Sequence, residues 1–365
     1  MSGLSTLVEA RSTLVCCGPG GAGKTTVAAS LALAAARRRR RVVVVTVDPA
    51  RRLGDALGLD GLSDEPSRVG VDVPGELWAA MLDTRSTFDT LVARYAPGPE
   101  QAQAILTNPF YRNIAGSLSG TQEYMAMEKL FDLHDQERFD LVVVDTPPTR
   151  NALDFVDAPG RLTRFLDNPL LRLLMAPART SLRAANVATQ ALLRAISRVI
   201  GSAVVADAIA FVRAFEGMEN GFRDRADRVR RLLHDEQSAF VLVAPPQPGA
   251  TRETATLART LTDAGLHLGG LVINRVHPQF GALADGQPAT GDGQFGPLRI
   301  DGPEPLRRLY ANLADLTAVA ARERHQLEPL RELVAPAPTV LVPMLESDVH
   351  DLEGLDAIAG YVAGN

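Results

Sequence analysis

The sequence predicts an α/β fold with a doubly wound, mostly parallel sheet and an inserted all-helical segment. Two observations predict the sheet: short apolar runs alternate with helix-forming stretches, and several runs are apolar on both faces, as in strands that helices cover on either side. A third observation predicts the insertion. Residues 161–235 break the alternation and contain no stretch with the pattern of a strand.

The composition of the chain excludes several classes of protein. The chain has 365 residues, 46% of them hydrophobic and 22% charged, so it can bury a large core as one elaborated domain or as two. Its formal net charge of -5 provides no general attraction to nucleic acid, and we expect no nucleic-acid partner. The two cysteines, Cys16 and Cys17, are adjacent, which excludes a disulfide scaffold, and the six histidines show no metal-ligand spacing. Residues 1–10 lack the pattern of a signal peptide, so we expect a cytoplasmic protein.

Residues 14–26 join an apolar strand, a glycine-rich turn and the start of a helix. Residues 18–25 fit the pattern G-x-x-x-x-G-K-[ST] of a phosphate-binding loop (P-loop), in which glycines let backbone N–H groups point at a polyphosphate on the helix N-terminus. We expect Lys24 to reach the β- and γ-phosphates and the Thr25 hydroxyl to ligate Mg²⁺. The predicted nucleotide contacts in this loop are Gly20, Gly21, Ala22, Gly23, Lys24, Thr25 and Thr26.

The elements that follow the loop are predicted from residue type and period. Ala- and Leu-rich stretches predict helices, and β-branched runs predict buried strands. In order, they are a helix over 27–36, strands over 42–47 and 76–82, helices over 84–96 and 120–131, and a strand over 139–145. The five arginines at 37–41 are interpreted as a solvated helix end, where the helix dipole favours cations, rather than as a nucleic-acid patch. Residues 98–118 carry no clear pattern.

The second half of the chain returns to the alternating pattern. It predicts, in order, a strand over 239–244, a helix over 252–264, a strand over 270–274, a mobile loop over 277–302, a helix over 305–325, a strand over 339–343 and a helix over 348–362. We therefore divide the chain into a nucleotide-hydrolase core and a helical subdomain. The core comprises 10–97, 136–160 and 236–362, and the subdomain comprises 98–135 and 161–235.

Within the predicted insertion, residues 187–212 are rich in apolar side chains. Arg194, Arg198 and Asp207 interrupt them, so a membrane-spanning helix is not expected. Two interpretations stay open. The stretch forms either the buried helices of an ordinary domain or an apolar groove that receives a partner's helix.

Gly18, Asp48 and Asp145 each lie at the carboxyl end of a predicted strand. Because the ligand site of a doubly wound sheet lies at that edge, we expect them around one crevice. Phosphoryl transfer needs a cradle, a cation, a metal and a residue that orients water. Asp145 is the candidate for holding Mg²⁺ through ordered water, and Asp48 for orienting or deprotonating the attacking water. Each has a structural alternative: Asp48 starts an ordinary turn with Pro49, or Asp145 caps the next segment.

Three segments together, the P-loop, residues 48–58 and residues 145–149, resemble the arsenical-pump ATPase family. That family includes the Get-pathway ATPase, which targets tail-anchored membrane proteins. The resemblance extends over nearly the whole chain and is strongest to the paired ATPases of actinobacteria. Further matches lie at 120–123 and 342–346.

The resemblance implies a Mg²⁺-dependent ATPase and assigns roles to its residues. Asp48 lies in the first switch and acts on the hydrolytic water, and residues 145–149 form the second switch. Asn274 and Pro343 border the adenine. ATP and Mg²⁺ are the implied cofactors.

The resemblance also implies a nucleotide-gated dimer whose helical subdomains form a groove for an apolar helical or membrane-protein client, with peripheral association with a membrane. The family's loop has a lysine, which reaches the partner's nucleotide, where this chain has Pro19. We therefore expect a heterodimer with a related subunit that supplies the lysine in trans. Arg51, Arg52 or Arg150 is the alternative cation from within the chain.

Two alternative functions stay open. The chain is an ATP-binding regulatory or scaffold subunit with little turnover, which the proline in the loop favours, or it is the soluble ATPase of an arsenite pump. Adjacent cysteines in a strand argue against the pump, because their side chains point to opposite faces and do not easily bind one metalloid together.

Overall fold

The computed structural model describes residues 4–48, 52–114, 121–147, 217–278 and 304–363, together with single positions between 203 and 214. Most of the predicted apolar stretch 187–212 and most of the predicted loop 277–302 lie outside the described residues.

The described residues form one eight-stranded sheet in the order β3-β4-β2-β5-β1-β6-β7-β8. Every neighbouring pair is parallel except β3 with β4. The strands are β1 (Thr13–Cys17), β2 (Arg41–Thr46), β3 (Ser67–Arg68), β4 (Glu76–Met81), β5 (Leu141–Asp145), β6 (Ser238–Ala244), β7 (Leu268–Val276) and β8 (Thr339–Pro343). The predicted doubly wound, mostly parallel sheet is confirmed.

Helices connect the strands and cover both faces of the sheet. The described helices are α1 (Ser5–Ala10), α2 (Lys24–Arg37), α3 (Arg52–Ala56), α4 (Thr84–Tyr95), α5 (Pro99–Leu106), α6 (Pro109–Ile114), α7 (Thr121–Asp135), α8 (Glu219–His234), α9 (Pro248–Asp263), α10 (Glu304–Val334) and α11 (Leu352–Ala363). None of the helices in these ranges is both long enough and apolar enough to cross a bilayer.

The structure extends the sequence prediction at two places. Residues 98–118, which carry no clear pattern, contain α5 and α6, and each begins with a proline, whose fixed φ and missing N–H suit a first helical position. Helix α10 was predicted to end at residue 325 but continues through Pro329 to Val334. Leu327, Leu330 and Val334 continue its buried stripe, and their burial offsets the hydrogen bond that the proline removes.

Buried side chains form two clusters, one on each face of the sheet. Successive residues of β1 alternate between them, so Cys16 lies in one cluster and Cys17 in the other. Both thiols are buried and free. Burial raises the pKa of Cys17 to about 12, which keeps this thiol protonated and makes it a poor metal ligand.

The arginine run 37–41 ends α2 as predicted, but it is not simply solvated. Arg38 donates to Glu9 at 3.0 Å and to the Ala363 carbonyl at 2.8 Å. Arg40 donates to the Val8 carbonyl at 2.7 Å. These half-buried guanidinium groups connect α2 and β2 to the two ends of the chain, which only the tertiary fold brings together.

Helices α4, α7 and α8 share a buried ionic network above the cluster that contains Cys17. Arg225 donates to the fully buried carboxylate of Glu128 at 2.6 Å and to Asp132, and its guanidinium lies 3.9 Å from the centre of the Phe131 ring. Arg94 donates to the same Asp132 at 2.8 Å. Burial raises the pKa of Glu128, and the charge of Arg225 opposes that rise. Arg225 therefore compensates a carboxylate that has no access to water.

We expect Arg225→Met to reduce the free energy of unfolding by about 3 kcal/mol, because it leaves Glu128 buried without its counter-charge. Urea denaturation at pH 7 measures this. Arg230→Met is the matched control on the same helix, because the exposed pair of Arg230 with Asp227, at 3.7 Å, contributes at most about 0.5 kcal/mol. Equal losses in the two variants would show that the buried network adds no stability.

Candidate functional site

The P-loop lies between β1 and α2 in the middle of the sheet, where β2 to β5 lie on one side of β1 and β6 to β8 lie on the other. Asp145, the last residue of β5, pairs in register with Thr46 of β2 and Cys16 of β1. The carboxyl ends of these three strands therefore meet along one edge. This arrangement brings Lys24, Asp48 and Asp145 to one place, as the sequence predicts.

The loop backbone depends on glycine at several positions. Gly21 and Gly23 adopt left-handed φ values of 74° and 89°. A Cβ on Gly18 would lie 2.0 Å from the Val243 carbonyl oxygen of β6, so the loop can approach the neighbouring strand only without a side chain there. Gly23 precedes α2 and provides no side-chain cap, which leaves the first N–H groups of this helix for another acceptor.

Lys24 folds back over the loop that precedes it. Its Nζ donates to the carbonyl oxygens of Gly18 and Pro19, each at 3.1 Å, and only 6% of the residue is exposed. Burial lowers its pKa, and the carboxylate of Asp145 opposes this effect. Two carbonyl groups thus hold the ammonium beside the loop, where a phosphate could replace them.

Asp145 is buried and incompletely bonded. One carboxylate oxygen, Oδ2, accepts from the hydroxyls of Thr25 at 2.7 Å and Thr46 at 2.9 Å. The other, Oδ1, is buried and has no hydrogen-bond partner among the described residues. Burial raises the pKa of Asp145 to about 6, although the two hydroxyls and Lys24 favour the ionised form. A carboxylate with an unused oxygen beside a threonine hydroxyl is a hard oxygen donor set, which fits Mg²⁺.

Asp48 follows β2 at the same edge. Its backbone N–H donates to the Thr46 hydroxyl at 3.2 Å, so Thr46 connects the segment after β2 to Asp145. Of the three arginines predicted as alternative cations, Arg52 begins α3 and lies at the wall of the adjoining cavity. Arg51 and Arg150 lie outside the described residues.

A cavity of about 480 Å³ opens over the loop. Its wall includes the predicted loop residues Gly21, Gly23, Lys24, Thr25 and Thr26, with the predicted residues Asp48, Asn274 and Pro343. Gly20, Ala22 and Asp145 are not part of the wall. Asp145 instead contacts it through Thr25, which suits a carboxylate that would act on a metal through water.

Sequence reasoning missed part of this wall. Residues after β8 contribute Met344, Leu345, Ser347, Asp348, Val349 and His350, of which only the first two fall in a motif recognised in the sequence. Arg275 also contributes, whereas Thr146, another residue of the wall, belongs to the motif 145–149 recognised in the sequence. Their position in the sequence could have indicated them, because each of these residues lies at or after the carboxyl end of a parallel strand.

Comparison with known proteins identifies the family. The profile of the family described as Anion-transporting ATPase matches residues 11–282, which is most of the chain and includes the P-loop, Asp48, Asp145 and Asn274. The chain belongs to the anion-transporting ATPase family. The predicted resemblance to arsenical-pump and Get-pathway ATPases is confirmed, and so, at the level of the family, is the predicted enzyme class.

Individual relatives of this anion-transporting ATPase family member lie at 26–30% identity. An uncharacterised protein of Streptomyces coelicolor is 30% identical over 269 residues, which cover 73% of this chain and 63% of that protein. An ATPase ASNA1 homologue of Paramecium tetraurelia is 26% identical over 261 residues, covering 71% of this chain and 73% of the relative. An arsenical pump-driving ATPase of Acidiphilium multivorum is 26% identical over 275 residues, covering 73% and 40%. This chain thus spans less than two thirds of the Streptomyces and Acidiphilium proteins.

Proposed function

We propose that this chain is a cytoplasmic, Mg²⁺-dependent ATP hydrolase that binds the triphosphate of ATP on residues 20–26. The observation that carries the proposal is that Lys24, Thr25 and Asp48 line one cavity at the carboxyl edge of the sheet, where Thr25 also donates a hydrogen bond to Asp145. Catalysis of phosphoryl transfer depends on positioning and charge neutralisation more than on covalent chemistry, and this edge offers both.

Each residue has a stated role in the proposal. The Nζ of Lys24 exchanges its two carbonyl acceptors for oxygens of the β- and γ-phosphates. The Thr25 hydroxyl and, through water, the Asp145 carboxylate would hold Mg²⁺, whose charge neutralises the phosphates. Asp48 orients or deprotonates the attacking water. Asn274 and Pro343, which also line the cavity, border the adenine.

Thr46 connects the two segments that would respond to the presence of the γ-phosphate. Its hydroxyl donates to Asp145 and accepts from the N–H of Asp48, so the segments after β2 and β5 share one side chain. We propose that loss of the γ-phosphate releases both segments and so moves the adjoining helices. Hydrolysis would then control the release of an apolar peptide or membrane-protein client from the helical subdomain, 98–135 and 161–235.

The proposal includes a related ATPase subunit as partner. Pro19 carries no charge, so a second cation, in addition to Lys24, must reach the phosphates from another source. The heterodimer supplies a lysine in trans, and Arg52 at the cavity wall is the competing source within the chain. Peripheral association with a membrane would follow from the client.

The test is steady-state ATP hydrolysis with Mg²⁺, by the chain alone and with the related subunit. We expect the subunit to raise the rate and Asp48→Asn to lower it about 10²-fold, because the water then loses the group that orients it. Asp227→Asn, an exposed change on α8, is the matched control. If wild type and Asp48→Asn share one background rate in both settings, hydrolysis is not the function. A fully active homodimer would overturn the heterodimer.

One alternative is supported by a specific observation. Pro19 in the loop favours a regulatory subunit that binds ATP with little turnover, which calorimetry would detect as Mg²⁺-dependent ATP binding without hydrolysis. The arsenite-pump alternative receives less support, because Cys16 and Cys17 lie buried in different clusters. Stimulation of turnover by arsenite would restore it.

A further inference from the structure

Asn274, near the end of β7, contacts the P-loop directly. Its side-chain Nδ2 donates to the Ala22 carbonyl oxygen at 3.0 Å. Both residues are buried, with 4% of Asn274 and 1% of Ala22 exposed. Loss of this hydrogen bond would leave a buried polar group without its partner, and the interaction joins two segments that are 252 residues apart in the chain.

Gly23 provides the space for this contact. A Cβ on Gly23 would lie 2.2 Å from the Asn274 Nδ2 atom, so any larger residue at position 23 would displace the amide. The absence of a side chain at this position therefore has two reasons. Glycine allows the left-handed φ of 89°, and it admits the side chain of Asn274 against the loop.

The backbone around Asn274 is irregular in a way that serves the same contact. The pairing of β7 with β8 shifts register between Asn274 and Val276. Arg275, between them, has a left-handed φ of 64°, which is uncommon for a residue with a side chain. Bulges beside functional sites redirect side chains. Here Asn274 is buried against the loop while Arg275 is exposed at the cavity wall.

We propose that Asn274 is a positioning residue that holds the P-loop in the shape that receives a triphosphate, in addition to bordering the base. In a trans peptide unit the C=O and N–H groups point in opposite directions. The bond from Asn274 to the Ala22 carbonyl therefore sets the direction of the Gly23 N–H, which is one of the expected phosphate donors. The inference rests on the proposed function, because it assumes that the loop binds a polyphosphate.

Inorganic tripolyphosphate, which has no base or ribose, separates the two roles of Asn274. Calorimetry with Mg²⁺ compares the affinities of tripolyphosphate and ATP for wild type, Asn274→Asp and Asn274→Ala. Asn274→Asp keeps the size of the side chain but turns a carboxylate toward a carbonyl oxygen. We expect both variants to bind both ligands about tenfold more weakly, the effect of one lost hydrogen bond in a buried site. Pro343→Ala changes a residue proposed to border only the base, and it is the contrast: we expect it to weaken the binding of ATP alone.

The outcomes are distinct. Parallel losses for the two ligands support the positioning role, and a loss confined to ATP overturns it in favour of a base contact. Unchanged affinities overturn it as well. A wild-type protein that binds neither ligand contradicts the proposed function itself rather than this inference. Kinetics add a second readout, since a misplaced loop lowers kcat as well as raising KM, whereas a lost base contact raises KM alone.

A measurement on the wild-type chain keeps the inference testable if the variants do not fold. Nitrogen-15 labelling of asparagine side chains gives an NMR signal for the Asn274 amide. Tripolyphosphate has no base to contact Asn274, so a positioning role predicts that its binding to the loop still shifts this signal. A signal that moves with ATP and stays in place with tripolyphosphate contradicts the proposal.

Discussion

Replacing Lys24 by methionine is expected to lower kcat/KM for ATP hydrolysis about 10³-fold, which is the usual scale for removing a preorganised charge from a phosphoryl-transfer site. In the structure the ammonium is almost fully buried and is held by the Gly18 and Pro19 carbonyl oxygens. Methionine keeps the length of the side chain and loses the charge. The triphosphate then meets a loop without its principal cation, and both binding and transition-state stabilisation suffer.

The chain provides a matched control for this change, because Lys129 is its only other lysine. Lys129 pairs with Asp64 at 2.8 Å, away from the cavity, so Lys129→Met should affect stability but not the rate per folded molecule. Rates come from a coupled phosphate-release assay on protein whose folded fraction is checked by circular dichroism. A Lys24→Met variant that retains a tenth or more of the wild-type rate would contradict the assignment.

Asp145→Asn is expected to lose hydrolysis about 10²- to 10³-fold and yet to be more stable than wild type at pH 8. The gain follows from the pKa of Asp145, which burial raises from its ordinary value of 3.8 to about 6. When folding raises the pKa of a carboxyl group, the group does not lower the stability of the fold at a pH below its ordinary pKa. It lowers the stability most at a pH above its pKa in the folded state. The shift is equivalent to about 3 kcal/mol, and the unpaired amide of asparagine offsets part of this, which leaves about 1–2 kcal/mol.

The same pKa difference gives the expected pH dependence its sign. Between about pH 4 and 6 the folded protein binds a proton that the unfolded chain has released, so wild-type stability falls as pH rises through this window. The advantage of Asp145→Asn should therefore disappear near pH 4. Asp140→Asn is the opposite control, because its hydrogen bond with Arg41 lowers the pKa of Asp140. Asp140 stabilises the fold at a pH above its ordinary pKa, so Asp140→Asn should be less stable than wild type at pH 8, and the difference should be smaller in acid.

Thermal unfolding of the three proteins across pH 4–8, without nucleotide, measures these differences. If Asp145→Asn is less stable than wild type at pH 8, the burial of the ionised Asp145 carboxylate does not destabilise the fold. An Asp145→Asn variant with undiminished Mg²⁺-dependent hydrolysis would remove Asp145 from the metal site. Together the two results distinguish a functional carboxylate, which costs stability, from one that caps a segment, which contributes to it.

Local patterns predicted much of the fold and of the site. The strand-turn-helix at 14–26 defines the P-loop by itself, because the glycine spacing, Lys24 and Thr25 are contiguous. Asp48 and Asp145 were predictable as neighbours of this loop for a general reason. The carboxyl ends of parallel strands lie at one edge of a sheet, so a carboxylate that ends a buried strand must lie there too.

The sequence by itself thus determined the fold class, the glycine-rich strand-turn-helix and the residues at the ends of the strands, because each depends on residues close together in the chain. Tertiary structure alone decided which distant groups meet. The bond from Asn274 to Ala22, the approach of Gly18 to Val243 and the residues after β8 at the cavity wall all depend on strand order and register. No local pattern encodes strand order or register, since both follow from how the whole sheet buries its two faces.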